Sequence, residues 1–304
     1  MDAVIIWSDV DDPVYRVRRL LTLPEKRRQS DLLVQPPKMK GTKDIHYNVA
    51  SLISCAPFIR RIFIVTNSED KGLKLFLKRK FPLNRTPINF VSHKMLFDGF
   101  NVPLPVVDPI ALESMIWKIP CLDDEFLLLD AGWMIVSPME ISDFVDGDKF
   151  ILRGATVKKV PRRILRSKDR LRINAALACG ADKYVICPES PMVLSKTFFE
   201  DFFRERPDLL ELNITAPLGS PNQMDIPSLC WSWLLKEGRG VIRKAHGEEV
   251  AFNYDNDDDL VSQLQQYRGD NSVKFCDVPP LSSLGWYQQR TITDWLSERF
   301  RMPI

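Results

Sequence analysis

The sequence predicts an α/β protein with a mostly parallel central sheet flanked by helices. Three observations predict it. Short apolar, β-rich runs recur at Ala3–Trp7, Arg61–Thr66, Ile88–Val91, Phe126–Leu129, Phe150–Arg153 and Lys183–Cys187. Runs of that length, apolar at nearly every position, suit strands covered on both faces. They alternate with segments of helical pattern, as parallel strands joined by crossover helices do. The composition is that of an ordinary globular chain, 45% hydrophobic and 27% charged over 304 residues, long enough for one large domain or two small ones.

In chain order, the strand Ala3–Trp7 is followed by helical segments at Val14–Leu21 and Ile45–Cys55, then by the strand Arg61–Thr66. Lys71–Phe81 carries Leu73, Leu75, Phe76 and Leu77 among Lys71, Lys74, Lys78, Arg79 and Lys80. That spacing predicts an amphipathic helix whose lysines form a solvated face. Helices are expected again at Pro109–Trp117, Arg170–Cys179 and Ser195–Arg204. Gly240–Asn253 reads as two strands around a His-Gly-Glu turn. Asp257–Tyr267 opens on acidic residues, which suit a helix N-terminus. Thr291–Phe300 is amphipathic through Ile292, Trp295, Leu296 and Phe300. With no internal repeat or low-complexity linker, residues 1–304 read as one domain with a sub-boundary in the basic stretch 155–170. A single core with an inserted or appended helical part is equally compatible.

Several functional classes are excluded. Lys+Arg 42 against Asp+Glu 40 leaves a net charge of +2, which argues against a generic nucleic-acid binder. No apolar run is long enough for a transmembrane helix, and no basic segment precedes an apolar one as in a secretory signal. The six cysteines are scattered without a C-x-x-C pair and read as reduced, mostly buried thiols of a bacterial-type cytoplasmic protein. Asn84-Arg85-Thr86 and Asn213-Ile214-Thr215 match the glycosylation pattern, which a cytoplasmic chain would not use. There is no P-loop, dinucleotide fingerprint, G-x-S-x-G or H-E-x-x-H. Three histidines (His46, His93 and His246) are too few for a zinc site built on histidine.

Acidic residues after strands remain. Ile6-Trp7-Ser8-Asp9-Val10-Asp11-Asp12-Pro13 puts carboxylates at the carboxyl end of a first strand, where open α/β sheets bind ligands. They serve either a hard cation on a diphosphate or the turn itself. Phe126–Asp130 repeats the pattern, and Asp130 either binds metal or caps the next turn. The basic run from Arg153 to Arg172 holds Arg153, Lys158, Lys159, Arg162, Arg163, Arg166, Lys168, Arg170 and Arg172 against Asp169 alone. It suits phosphates or anionic lipid, or else is a solvated loop. No interleaved aromatic residues make it a stacking platform for nucleic acid. Asp255–Asp259 reads as a helix start, with metal binding as its alternative.

Four separated segments together resemble the Stealth family of sugar-phosphate transferases, which includes capsule hexose-1-phosphate transferases and the catalytic part of the animal N-acetylglucosamine-1-phosphotransferase. Met1–Pro13, MDAVIIWSDVDDP, matches that family's first signature, I-D-V-V-Y-T-W-V-D-G-S-D-P, at Trp7, Asp9, Asp12 and Pro13, with Val10 at the family glycine. Tyr47–Thr66, YNVASLISCAPFIRRIFIVT, matches the opening of the second. His93–Phe97, Leu104–Glu113 and Lys118–Gly132 continue it in order. Fainter matches follow at Arg172-Ile173-Asn174 with Tyr184–Phe199, and at Phe275-Cys276-Asp277 with Trp295–Pro303.

The resemblance implies a nucleotide-sugar-transferase-like core of GT-A or Rossmann type, transferring a sugar-1-phosphate or a sugar in surface or capsular polysaccharide assembly. It implies a nucleotide-sugar donor, a glycan or lipid-linked acceptor, Mg²⁺ or Mn²⁺, no nucleic acid, and a cytoplasmic location that leaves peripheral membrane association open. Asp9, Asp12, His93, Asp108 and Glu113 are then the candidate catalytic residues. Trp7, Asp11, Asn174, Arg153, Arg162 and Arg172 are candidates for donor and substrate binding, and Asp130 and Asp277 for the metal. Glu113 has a structural alternative, tying its helix to the sheet, and His93 another, as a hydrogen-bonded strand-end residue. The chain also departs from the family. The family Asn-Asp-Asp is Asp130-Ala131-Gly132, its L-R-S arginine is Ala50, its third-region histidine is Cys187, and a later arginine has no counterpart near Gln223. Those losses imply the alternative of a degenerate member that binds a nucleotide-sugar or glycan, or supports an active partner.

Overall fold

A computed structural model describes residues 1–10, 12–23, 44–158, 167–244 and 247–302. The strands are β1 (Asp2–Ile6), β2 (Ile62–Thr66), β3 (Ile88–Ser92), β4 (Glu125–Asp130), β5 (Trp133–Ile135), β6 (Val145–Asp146), β7 (Lys149–Arg153), β8 (Ala155–Lys158), β9 (Lys183–Ile186), β10 (Met192–Ser195), β11 (Gly240–Arg243), β12 (Glu249–Ala251) and β13 (Phe275–Asp277). The helices are α1 (Pro13–Thr22), α2 (Asp44–Cys55), α3 (Lys71–Lys80), α4 (His93–Leu96), α5 (Pro109–Glu113), α6 (Ser167–Ala178), α7 (Lys196–Glu205), α8 (Pro207–Thr215), α9 (Ile226–Lys236), α10 (Asp257–Gln266) and α11 (Trp286–Arg299).

The central sheet runs β10-β4-β1-β2-β3. β4, β1, β2 and β3 are parallel, with Ile6 level with Asp130 and Val65 level with Val91, and β10 runs antiparallel against β4. Ala3, Val4, Ile5, Ile62, Ile64, Phe126 and Leu127 are fully buried. Continuous apolar runs are what strands with both faces covered require. The α/β class with a mostly parallel sheet is therefore as the sequence predicts. Three small sheets add to the central one: β11-β7-β6, β12-β13-β5 and the pair β8-β9. One connected apolar core joins residues from Ala3 to Met302 on both sides of the 155–170 stretch, beside a small satellite of Ile173, Ala176 and Tyr184.

Local chemistry sets the element ends. Asp12 accepts from the Val14 N–H at 2.9 Å and caps α1. Asp70 caps α3 and also meets His46 Nε2 at 2.8 Å, while the His46 ring stacks on Phe76. Leu73 and Leu77 are the buried face of α3, with its basic residues outward.

Three expectations are corrected. The helix over Pro109–Trp117 stops at Glu113, and a 3-10 turn covers Ile116–Lys118. Ser114 bonds back to the Ile110 carbonyl at 2.7 Å, and the Ile119-Pro120 pair lies just beyond. The two strands in Gly240–Asn253 do not pair with each other, because β11 joins β7 and β12 joins β13. The last helix begins at Trp286, five residues before Thr291. All six cysteines are free thiols; Cys121 is exposed and Cys179 half-buried, and the other four are buried. Asn213, at a glycosylation-pattern position, is fully buried. No described helix is long and apolar enough to cross a membrane.

Candidate functional site

The parallel strands end along one edge of the sheet, and two acidic positions, Asp130 and Asp277, meet there. Asp130 closes β4, level with Ile6 of β1, and Asp9 lies three residues beyond Ile6. The chain then turns through Ala131 and Gly132 into β5, and the Gly132 N–H donates to Asp130 Oδ1 at 3.1 Å. Antiparallel pairing of β5 with β13 sets Asp277 level with Trp133. A Cβ placed on Gly132 would lie 3.3 Å from Asp277 Oδ1 and 3.8 Å from Asp130 Oδ1. The two carboxylates therefore flank one small space that only a glycine leaves open. Asn48, in α2, holds the turn from behind, its amide donating to the carbonyls of Ala131 and Trp133 at 3.0 Å. The Tyr254 hydroxyl donates to the Asp277 carbonyl at 3.0 Å.

The electrostatics agree with a shared anionic cleft. Asp130 is open to solvent, yet protein crowds its carboxylate and raises its pKa. The Gly132 N–H opposes that shift, Glu189 adds to it and Lys168 opposes it. Asp277 is raised by desolvation, then by Glu189 and Asp130. Lys168 and Glu189 pair at 2.5 Å at the rim, both exposed.

Asp108 and Glu113 form a second acidic group within electrostatic reach of Asp130. Asp108 caps α5, with Oδ1 accepting from the Ile110 N–H at 3.1 Å and Oδ2 from Gln223 Nε2 at 2.5 Å. Burial raises its pKa, and those two hydrogen bonds limit the rise. Glu113, at the other end of α5, is raised well above the usual carboxylate range by burial and then by Asp225, Asp130 and Asp108. Glu113 thus links the two acidic groups and holds a proton far more readily than an ordinary glutamate. Gln223 is positioned by its neighbours. Its amide also donates to the Asn213 carbonyl at 2.9 Å, and Asn174 Nδ2 donates to the Gln223 and Pro221 carbonyls at 2.8 and 3.0 Å.

The other sequence candidates fall elsewhere. Trp7 is buried, and its N–H donates to the Val65 carbonyl at 2.9 Å. Asp9 and Asp12 are tied to Asn67. The Asp9 N–H donates to Asn67 Oδ1 at 2.8 Å, and Asn67 Nδ2 donates to Asp12 Oδ2 at 2.9 Å. With its other oxygen capping α1, Asp12 is a structural residue rather than a free catalytic carboxylate. Asn174 braces the 221–223 segment and lines a cavity with Arg170 and Arg206. Arg153 is buried, paired with Glu248 and bonded to the Asp143 carbonyl, between the rings of Phe144 and Phe275. It joins β7 to neighbouring segments and leaves no guanidinium for a donor. Arg172 pairs with Asp169 one turn earlier on α6 at 3.2 Å. His93 is 2% exposed just past the carboxyl end of β3, and burial lowers its pKa to about 4, so the imidazole is neutral. β3 stands three positions from β4 in the sheet, about 14 Å at the usual strand spacing. His93 therefore lies apart from the acidic cluster. Asp11 and Arg162 lie outside the described residues.

Sequence reasoning passed over Glu189, Asp225 and Asn48, and met Gln223 only as the neighbourhood of a missing family arginine. Asp225 carried a helix-start signal, since it precedes Ile226-Pro227 and accepts from the Ser228 N–H. The others had no local signal, because their partners are distant in the chain. Three family departures are interior positions. Ala50 is fully buried, Cys187 is buried within 3.9 Å of the Ser228 hydroxyl, and Gln223 is the residue that holds Asp108.

An α/β sheet with acidic residues gathered at its carboxyl edge is the construction of a ligand-binding open sheet. Residues 38–152, from the approach to α2 through β7, match the Stealth protein conserved region 2. Over that segment the chain resembles the Stealth family. It is 23% identical over 182 residues to the capsular polysaccharide phosphotransferase of Actinobacillus suis, a match covering 59% of this chain and 46% of that protein. With the capsular polysaccharide phosphotransferase of Neisseria meningitidis serogroup B it shares 24% identity over 248 residues, covering 77% and 64%. With the mouse (Mus musculus) N-acetylglucosamine-1-phosphotransferase subunits alpha/beta it shares 25% over 137 residues, covering 45% and 10%. The chain therefore spans about half the length of the capsular relatives it matches. Among solved structures, the galactosyltransferase LgtC aligns over 98% of this chain and 96% of its own, with a TM-score of 0.45 at 10% identity. The bifunctional glycosyltransferase WbbM aligns over 99% and 51%, with a TM-score of 0.48 at 11% identity.

Proposed function

We propose that this chain is a nucleotide-sugar-dependent transferase of surface or capsular polysaccharide assembly, moving a sugar-1-phosphate to a glycan or lipid-linked acceptor on the cytoplasmic side of the membrane. The observation that carries this reading is the meeting of Asp130 and Asp277 around Gly132, with Glu113 within electrostatic reach and the Lys168–Glu189 pair at the rim. The phosphotransferase names of the capsular relatives support it.

The residues present fit a hard divalent cation. Among the described residues no three His, Cys, Asp or Glu side chains converge on one point. Two carboxylates suit Mg²⁺ or Mn²⁺, which keeps waters and donor phosphate oxygens as its other ligands. Bound between Asp130 and Asp277, the cation would supply charge neutralisation for the donor diphosphate. Asp9, three residues beyond the end of β1, would line the nucleotide side. Lys168 adds a positive charge toward the transferring phosphate. The acceptor hydroxyl oxygen bonds to the phosphorus next to the sugar. The bond from that phosphorus to the bridging oxygen breaks, and a nucleoside monophosphate leaves with that oxygen. The hydroxyl proton passes to Glu113, whose affinity for a proton is raised by burial and by Asp225, Asp130 and Asp108.

The test is incubation with UDP- and CMP-sugars in the presence of Mn²⁺, followed by nucleotide analysis. From a UDP-sugar, UMP marks sugar-1-phosphate transfer, whereas UDP marks transfer of the sugar alone. Asp130→Asn should abolish release while the melting temperature stays within a few degrees. A second reading, a binding protein without turnover, draws on the uncharged interior residues at the three family-departure positions Ala50, Cys187 and Gln223. Binding of the donor without release of any nucleotide would favour it.

A further inference from the structure

We propose that the cavity between α6 and α8 holds the phosphate and the adjoining hydrocarbon of a lipid-linked acceptor. This inference rests on the transferase reading and deepens it, by choosing between its two acceptor classes. The cavity has a volume of about 570 Å³, within the range of small-molecule sites. α6 turns one face to it, because Arg170, Asn174, Leu177 and Ala178 recur at helical spacing. Leu209 and Leu212, one turn apart on α8, also line it, and the 221–224 segment completes the lining. Leu177 is 48% exposed and Leu212 37%, so two of the lining leucines stand open to water.

The polar groups of the cavity divide into those already committed and those left over. Asn174 Nδ2 donates to the Pro221 and Gln223 carbonyls, and Arg206 makes a two-point pair with Asp208 at 3.2 and 3.1 Å. Asp169, next to Arg170 in the chain, pairs with Arg172 instead. Among the described residues Arg170 meets no hydrogen-bond or ion-pair partner, although its Nε is shielded from water. A shielded donor of that kind calls for an acceptor from outside the chain. The Asn222 side chain is likewise without a partner among the described residues. No Asp or Glu lies among the described lining residues, so the charge of Arg170 is not offset there. A guanidinium with an amide in the same cavity suits a phosphate, whose oxygens accept from several N–H groups at once. Leu177, Leu209, Leu212 and Met224 suit a hydrocarbon chain. A free sugar fits less well, because leucine walls leave its hydroxyl groups unmet, and the described lining has no aromatic ring to stack on a base. The cavity adjoins the second acidic group through Gln223. The Gln223 carbonyl accepts from Asn174 at 2.8 Å, while its side-chain amide donates to Asp108. An acceptor anchored in the cavity is separated from Asp108 by that one residue.

The experiment is calorimetric titration of the full chain with decyl phosphate below its micelle concentration, against decanol, decanoate and inorganic phosphate. Decyl phosphate should bind at least about tenfold more tightly than decanol or inorganic phosphate, and severalfold more tightly than decanoate, which has fewer oxygens to accept. Arg170→Gln should weaken decyl phosphate about tenfold and leave decanol unchanged. Leu177→Ser with Leu212→Ser should weaken decyl phosphate and decanol alike, by about fivefold. Both variants should melt within about two degrees of the native chain. Inorganic phosphate, decanol or decanoate binding as tightly as decyl phosphate would overturn the proposal, as would unchanged binding in either variant. A melting point lowered by several degrees in Leu177→Ser with Leu212→Ser would show those leucines packed within the protein and would overturn it too. The two readings fail separately. Decyl phosphate bound by a chain that releases no nucleotide from UDP- or CMP-sugars would sink the transferase reading and leave the cavity its ligand. Nucleotide release with a glycan acceptor, and no binding of decyl phosphate, would sink the lipid-linked acceptor alone.

Discussion

Gly132→Ala is the most direct perturbation of the acidic cleft, because it adds one methyl group and no charge. The new Cβ would stand 3.3 Å from Asp277 Oδ1, 3.6 Å from the Val278 carbonyl and 3.8 Å from Asp130 Oδ1. The first contact is tight, so the Asp277 carboxylate has to give by a few tenths of an ångström. Gly132 is not in the left-handed region, so alanine brings no backbone strain. Gly→Ala at a compatible site stabilises by about 0.4–1 kcal/mol through the unfolded chain, and the tight contact offsets part of that. The net change in stability should be within about 1 kcal/mol, or about two degrees in melting temperature for a chain of this size. The functional effect should be larger. If Asp130 and Asp277 hold the donor as proposed, a methyl group between their oxygens would displace the donor phosphate by a fraction of an ångström, and errors approaching 1 Å cost about 10²-fold in rate. We expect nucleotide release to fall about 10- to 100-fold and Mn²⁺ affinity, measured by calorimetry, to fall with it. Unchanged release and unchanged Mn²⁺ affinity would show that the space between Asp130 and Asp277 is not where the donor is held. A large loss of stability would show it to be packing.

Further outcomes follow from the same geometry. Glu113 binds its proton more tightly folded than unfolded, so its cost is absent below the ordinary glutamate pKa and grows as pH rises toward the folded value. Glu113→Gln should therefore raise unfolding stability in urea at about pH 7.5 and leave it nearly unchanged at about pH 4; equal effects at both would refute the raised carboxyl. His93 has the opposite sign of linkage. With its pKa lowered to about 4, the unfolded chain takes up a proton first, and stability is lost as pH falls from about 6.5 toward 4. His93→Gln should flatten that acid limb of the stability profile, and an unaltered limb would count against the buried neutral ring. Arg153→Ala should destabilise by about 2–4 kcal/mol, because Glu248 and Asp143 lose their partner, while donor binding by the folded fraction stays unchanged. A selective loss of donor affinity would return Arg153 to the binding site.

The central strands were legible because both their faces are buried. Ala3–Trp7 and Phe126–Leu129 needed no knowledge of partners to be recognised. The short strands β5 and β13, three residues each, were not, because so brief a segment has no period and is extended only through its pairing. Asp130 stood out at the end of an apolar strand. Asp277 entered only through a faint likeness, and Glu189 not at all. Arg153 and Asn174 looked like ligand-binding residues because a basic or amide side chain beside a basic run carries no sign of what it will meet. Arg153 meets Glu248, ninety-five positions along the chain, and Asn174 meets the backbone near Gln223.

By itself, the sequence determined the fold class, the parallel strands of the central sheet, and the appearance of carboxylates at the strand ends, since each depends on local apolar runs and turn chemistry. Tertiary structure alone decided which carboxylates share a space. The turn at Gly132 and the pairing of β5 with β13 bring Asp277 to Asp130, and burial among Asp225, Asp130 and Asp108 changes how firmly Glu113 holds a proton. The physical reason is range. Propensity and burial pattern act over a few residues, whereas a carboxylate's charge state depends on every group within several ångströms, wherever it lies in the chain.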